Sequence, residues 1–423
     1  MLSCDTERNV PLLAEDTFLK FYGVEGEQTG VDFVLTADNA IVMVGNSNML
    51  GNTQMIYVVK VDLLGNVIWE NMIGLADKNN SVKDIELHSN GRLVIAGETE
   101  MAIGNRDVFV KILDGSGTEL DSIRYGLTTN SDEVVNSITI IGAGISLPAG
   151  YIISGSTTDV PINPLKPNDT KDGLHLRLTD QPLAVSGNLW TKKDGIDNSE
   201  DVIVKVIQFD NNNYYYFGYT NALADGSADF KYWIFKTNDF GVSGNNATTL
   251  LEKLGSKNED EFLKVLIDVN TPDLFDKGYL LCGVAVDGNG NSRPYSVKLR
   301  RDLTLINDDD VKGMNYENSI GTGIQQLRMT GFYNLANNDF LVLATRNFSS
   351  DRFEDMSLYK LDREIQPVWG PEVFGGESFD EAGAVLQLPD GKIMVLGTMT
   401  VGGLNGQKKM ALMKLNDKGK LLR

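Results

Sequence analysis

Short apolar runs ending in glycine recur from one end of this chain to the other. They read AIVMVGNS with Gly45, RLVIAGET with Gly97, YIISGST with Gly155, YYYFGYT with Gly218, YLLCGVA with Gly283, FLVLATR with Ala344 in the glycine slot, and IMVLGTM with Gly397. Successive slots lie 52, 58, 63, 65, 61 and 53 residues apart. A basic residue inside an apolar strand keeps the same time: Lys60, Lys111, Arg177, Lys236, Lys298, Lys360 and Lys414. Two independent landmarks therefore count seven units. A period of this length marks a repeat architecture, in which one unit cannot bury its own faces and must stack on copies of itself. That overrides the length prior of about three domains.

Each unit holds four strands. An apolar stretch such as GVDFVLT, VKDIELH or VIVKVIQF precedes the glycine run, and turn signals such as SNG, DNNN and PDG separate the two. After each basic strand a turn such as LLGN or GSG leads to a fourth stretch, among them VIWENMIG, ELDSIRYG, NLWTKKDG, TLLEKLG and VWGPEVFG. In the fifth unit that stretch falls somewhere within LTLINDDDVKGMNYE. Four antiparallel strands without a helix-period segment describe a β-propeller blade. We therefore expect an all-β, seven-bladed β-propeller.

The seventh unit lacks its last strand. Trp69 follows Lys60 by nine residues and Trp369 follows Lys360 by nine, but nine residues after Lys414 comes Arg423, the last residue given. The missing piece stands at the other end, in DTFLKFYG, where Phe18 precedes Gly23 by five residues as Trp69 precedes Gly74 and Trp190 precedes Gly195. Residues 16–423 are expected to form one propeller closed by pairing of the N-terminal strand with the C-terminal blade, because an open end would leave an apolar face and unpaired backbone groups in water. Residues 1–15 are expected to be a leader or tether, reaching on the order of 40 Å when extended.

The formal charge is −20, with 58 acidic against 38 basic residues. Such a surface repels phosphate backbones, so nucleic acid is not an expected partner. No run of about 18 apolar residues is present to span a bilayer as a helix. Of the two cysteines, Cys282 in GYLLCGV reads as a small buried hydrophobe. The other, Cys4, follows Leu-Ser in MLSC and resembles the end of a bacterial lipoprotein signal, in which that cysteine becomes the acylated first residue. Lipidation at Cys4 would make an anchor the only contact with a membrane. The alternative is a plain cysteine near a start codon.

The unit Asp62-x-x-Gly65-x-x-x-Trp69, followed by a glycine with an acidic residue after it and by G-x-T, resembles the repeat of secreted and lipid-anchored β-propellers of Bacteroidota. The resemblance covers Asp16 to Arg423, with Ala344 in one glycine slot and only three tryptophans in the fourth-strand position as departures. It implies an outer-membrane or cell-envelope address and an accessory role in transport, secretion or glycan-uptake assemblies.

A residue that recurs in every blade serves the fold sooner than catalysis, since a reaction needs one asymmetric site. The basic slot reads as a cation that snorkels past apolar neighbours and pairs with acids such as Asp62 or Asp362. Acids recur after the blade-ending glycine, as Asp132 and Glu133, Glu200 and Asp201, Asp260 and Glu261, Asp380 and Glu381, with Asn80 in the second blade. We read them as carboxylates accepting N–H bonds in a turn, with a cation-attracting ring as the rival. Asp287, Asn289 and Asn291 in VDGNGNS alternate as Ca²⁺ ligands would, but the position of the closing glutamate holds Lys298, and a hairpin is the preferred reading. No cofactor is expected. His88 and His175 lack ligand-spaced companions.

What differs between blades points to binding. The loop STTDVPINPLKPNDTKDG in the third blade carries Pro161, Pro164, Lys166 and Pro167, and TRNFSSDRFEDM in the sixth carries Phe348 and Phe353. Both are expected on the face of the blade-to-blade crossings, where stiff or aromatic loops suit a protein or glycan partner. The reading is a non-catalytic, lipid-anchored envelope protein acting as a protein-binding or scaffolding subunit of an outer-membrane transport or secretion assembly. A surface glycan-binding lipoprotein and a propeller-type hydrolase or lyase are the alternatives.

Overall fold

The computed structural model describes residues 16–48, 53–159, 170–180, 182–185, 191–196, 198–222, 229–242, 259–269, 278–303, 311–312, 326–337, 339–347, 353–363, 365–403 and 406–421. These form seven antiparallel sheets and no helix. The first blade runs Asp32–Leu35, Ala40–Asn48, Met55–Asp62 and Val67–Ile73, with Glu27–Gln28 extending its inner edge. The second runs Asn79–Leu87, Leu93–Ala102, Asn105–Leu113 and Glu119–Tyr125. In the fourth blade three strands are described, and the expected fourth, TLLEKLG, lies outside the described residues. The fifth blade's last strand is Val311–Lys312, inside the stretch expected to hold it.

Closure is as expected. Phe18–Tyr22 pairs with the last strand, Gln407–Leu415, in the register Phe18↔Lys414 through Tyr22↔Met410. The inner strands touch around a full circle, including the contact of the seventh blade's Glu381–Gln387 with Asp32–Leu35 of the first. Seven buried apolar clusters fill the spaces between neighbouring blades. Alternate residues of one strand serve different clusters: Ile41 and Met43 pack toward Leu396 and Leu412 of the last blade, whereas Val42 and Val44 pack toward Ile95 of the second. Period-two pleating with both faces covered explains the unbroken apolar runs. Without Phe18–Tyr22 the cluster holding Tyr22, Tyr57 and Met410 would open to water.

The glycine slot has a steric cause. The inner strand of each blade from the second to the seventh carries a bulge beside this slot, at Val82/Asp84, Val135/Ser137, Ile203/Lys205, Leu263/Val265, Met329/Gly331 and Ala382/Val385. A bulge pushes one carbonyl toward the facing strand. A Cβ on Gly97 would overlap the oxygen of Ser81, and one on Gly155 the oxygen of Val134.

The Asp-x-x-Gly-x-x-x-Trp pattern joins one blade to the next. Asp62 Oδ1 accepts the N–H groups of Leu64 and Asn66, shaping a turn whose Gly65 has φ +75°. That bare glycine is the seat for the preceding blade's fourth strand: a Cβ on Gly65 would come 2.9 Å from the Phe18 ring. Gly117 likewise seats Trp69, at 3.0 Å. The closing strand and the internal ones thus use the same joint.

The basic slot differs from expectation in its partner. Asp62 is occupied by its own turn, and Lys60 pairs instead with Asp38, at 2.7 Å, on the hairpin joining the first two strands of its blade. Lys360 pairs in the same way with Asp339, at 3.0 Å, so Asp362 is not its partner either. The free N–H groups then reach across: Lys60 donates to Gly115 O of the second blade at 3.2 Å, and Lys414 to Leu63 O of the first at 2.9 Å. The cation is a joint between blades because the turn carbonyls of the next blade lie within its reach.

Candidate functional site

The crossing face, where each outer strand passes to the next blade's inner strand, is built from buried polar clamps. Asn80 Oδ1 accepts Leu75 N–H at 3.0 Å while its amide donates to Leu75 O at 2.9 Å and Lys78 O at 2.8 Å. Asp380 accepts Gly376 N–H at 2.7 Å and Thr400 N–H at 2.8 Å, and Asp201 accepts Ile196 N–H at 2.9 Å. Glu133 receives the Thr157 hydroxyl at 3.0 Å. Asn80, Glu133, Asp201 and Asp380 are all buried. Asn80, Asp201 and Asp380 are turn acceptors, as preferred, whereas Glu200 and Glu381 face Lys171 and Lys408; Gln28 holds the matching place in the first blade, against Gly23. Burial pushes the carboxyls of Glu133 and Asp380 upward and that of Asp201 to about 6. Asp132, beside this set, is instead held low by the hydrogen-bonding Arg106 guanidinium.

Between the first and second blades this face opens into a cleft of about 520 Å³. Its floor is Glu98, whose side chain is 2% exposed and which faces Arg106 at 3.1 Å and Lys83 at 3.6 Å. Amides of Asn48, Gln54 and Asn79 and the carboxylate of Glu100 form its walls. Sequence reasoning did not find this site, since its walls come from two repeats.

A second cluster lies in the central channel, on the inner strands just past the bulges. Lys205 of the fourth blade reaches Glu86 at 3.1 Å, Asp84 at 3.5 Å and Ile138 O at 3.0 Å. Asp84 accepts Ile138 N–H at 2.8 Å, and Asp32 accepts Ile85 N–H at 3.3 Å. Burial, then the neighbouring Asp84, pushes the Asp32 carboxyl well above the usual range. Burial disfavours the charge on Lys205, but Asp84 and Glu86 outweigh it and hold the ammonium firmly protonated. In form this is an acid–base cluster. In bonding it ties the inner strands of the first four blades together, the Asp32 and Asp84 carboxylates being engaged by the next blade's backbone and Glu86 by Lys205.

Of the residues singled out from sequence, Phe353 is described. It is 36% exposed and meets Phe379, itself 46% exposed, edge to face with centroids 4.8 Å apart. Phe379 belongs to the crossing into the seventh blade, so the sixth blade's loop does share the crossing face. Cys4, Pro161, Pro164, Lys166, Pro167 and Phe348 lie outside the described residues. Asp287 Oδ1 accepts Asn289 N–H at 2.8 Å and Asn291 N–H at 2.9 Å, and Oδ2 accepts the Asn291 amide at 3.0 Å. That is the hairpin reading, with the Asp287 oxygens turned into their own loop. Among the described residues no group of three or more histidine, cysteine or acidic side chains is placed to hold a metal ion. His175 is buried against Asp194 at 2.5 Å, and Cys282 is a free, buried thiol. No helix is long and apolar enough to cross a membrane among the described residues.

No protein-family model matches this chain, and no curated protein matches it either. Solved structures do. The β-propeller domain of the trilobed protease from Pyrococcus furiosus aligns over 94% of this chain and 98% of its own, at 10% identity and a TM-score of 0.47. A protein of unknown function from Dyadobacter fermentans aligns over 94% and 97%, at 8% identity and 0.45. An ulvan lyase of polysaccharide lyase family PL25 aligns over 95% of this chain and 81% of its own, at 10% identity and 0.40. The seven antiparallel sheets, in contact around a full circle, carry the fold assignment by themselves.

Proposed function

We propose that this chain is a non-catalytic binding subunit of a cell-envelope assembly, tethered through acylated Cys4, with the crossing face as its recognition surface. The observation that carries this reading is the exposed Phe353–Phe379 pair on that face. Large rings held edge to face in water are costly unless a partner covers them, and aromatic side chains dominate the energetics of protein interfaces. The acids that repeat around the face favour the same reading, because Asp201 and Asp380 bind backbone donors of the fold itself and Asp132, Glu200 and Glu381 face its own cations. The resemblance to anchored propellers of Bacteroidota supplies the address.

The test is co-purification from detergent-solubilised membranes. The chain should travel with envelope proteins, lose them when Phe353 and Phe379 are both changed to serine, and move to the soluble fraction when Cys4 is changed to alanine. Mass spectrometry of the mature N-terminus should find acyl chains on Cys4. A chain recovered alone in the soluble fraction, with an unmodified Cys4, would refute the proposal.

A further inference from the structure

In the cleft between the first and second blades a charged latch stands where three other blades use a neutral one. In the position after the glycine slot, Asn46, Thr345 and Thr398 each use a neutral oxygen to accept the N–H of the next blade's inner strand, from Val82, Ala382 and Gly30. Glu98 does this for Val135 at 2.8 Å. An amide or hydroxyl suffices for that latch, so the carboxylate of Glu98 exceeds what the fold requires. Its charge gathers two cations at the floor of the cleft: Lys83, from the inner-strand bulge, and Arg106. The bulge residue is Asn136 in the third blade, Val204 in the fourth and Thr330 in the sixth, while the fifth also carries a lysine there, Lys264, without a glutamate after its glycine slot.

The chemistry of the lining narrows what it can hold. Two cations, Lys83 and Arg106, face two carboxylates, Glu98 and Glu100, so formal charge cancels within the cleft. Arg106 is further bound to Asp132, through Nε at 2.7 Å, and cannot be spared for an anionic ligand. Glu98 is taken up by Val135 N–H and Arg106 and cannot be spared for a cationic one. What remains is a set of interspersed donors and acceptors. Gln54 donates its amide to Asn80 O and keeps its carbonyl oxygen; Glu100 accepts the Asn79 amide on Oε2 and keeps Oε1. Lys83 is 35% exposed and has N–H groups to spare beside them. A hydroxyl donates one hydrogen bond and accepts others, so neighbouring hydroxyls match such pairs where a charged or apolar group does not.

We propose that this cleft binds a neutral, hydroxyl-rich ligand, a short stretch of glycan. Its volume falls within the range of about 300–1,000 Å³ typical of small-ligand sites. The site does not involve the Phe353–Phe379 pair, and its failure would leave the protein-binding reading untouched.

Titration calorimetry on the full chain tests it, with maltotriose, cellotriose, xylotriose and mannotriose as neutral probes and trigalacturonate and trilysine as charged ones. At least one neutral trisaccharide should bind with a Kd of about 1 mM or tighter. Lys83→Ala and Asn48→Ala, neither of which removes a blade-to-blade latch, should each weaken it about tenfold with the melting temperature held. Phe353→Ser should not change it. The proposal is overturned if no neutral probe binds at about 10 mM, if a charged trimer binds more tightly than every neutral one, or if binding survives both cleft variants.

Discussion

Changing Asp201 to asparagine should stabilise this protein near neutral pH and do nothing of the kind in acid. Asp201 is fully buried at the crossing into the fourth blade. Ile196 N–H and Ser199 Oγ both donate to Oδ2, and the Thr220 hydroxyl also lies against the carboxyl. Burial raises the carboxyl from 3.8 to about 6, with Asp172 adding to it. A folded-state pKa above the unfolded one contributes stability that is complete below about pH 4 and is lost as pH rises through about 6. The full span is about 3 kcal/mol, from roughly two pH units at 1.36 kcal/mol each. About 2 kcal/mol of it separates pH 7.5 from pH 4.5. The second blade supplies the template for the replacement: Asn80 holds the same clamp with its oxygen on Leu75 N–H and its amide on backbone carbonyls. In Asp201→Asn the oxygen would keep Ile196 N–H and the neutral amide would fill the carboxyl's place without its buried charge. Differential scanning calorimetry at both pH values should show a gain of about 2 kcal/mol at pH 7.5, a rise of about 2–3 °C for a chain of this size. At pH 4.5 the gain should vanish. A variant equally stabilised at both values, or destabilised at both, would refute the account of this clamp.

Gly97→Ala should cost about 3 kcal/mol or more, because the new Cβ meets the Ser81 carbonyl and not a yielding side-chain tip, and chemical denaturation should record it as a lower midpoint. The same change at Gly104, whose Cβ would meet nothing within 4 Å, should cost only the strain of its positive φ, about 1 kcal/mol. Lys205→Met should destabilise by about 3 kcal/mol near neutral pH, by stranding Asp84 and Glu86 in the channel, and the loss should shrink in acid as Glu86, whose carboxyl burial already pushes upward, takes up a proton. A pH-independent loss would assign Lys205 to packing alone.

Much of the fold is legible because its causes are periodic. The bulge that forces Gly97 and Gly155, and the turn that seats Trp69 on Gly117, act in blade after blade and so print themselves on the sequence at a fixed spacing. The partner of Lys60 is less legible, since Asp62 lies closer along the chain but is consumed by its own turn while Asp38 meets the lysine across the strands. The channel cluster is hidden for another reason. Asp32, Asp84 and Lys205 sit within GVDFVLT, VKDIELH and VIVKVIQF, and only the bulges before Asp84 and Lys205 reveal that these two share one level of the ring. An ionisable residue following a bulge in an otherwise apolar inner strand was the available signal. The cleft is the least legible, because Gln54 and Glu98 come from different repeats and become neighbours only when the blades are stacked. Its one trace is a glutamate where Asn46, Thr345 and Thr398 hold the matching place.

The ring closed by its two termini is tested most directly by amide hydrogen exchange over Thr17 to Tyr22 in the intact chain. If Phe18–Tyr22 is the outer strand of the last blade, these amides exchange only as fast as those of its partner strand, Gln407–Leu415, through the same cooperative opening. Exchange of Thr17 to Tyr22 at the rate of free peptide, with Gln407–Leu415 still protected, would contradict the closure.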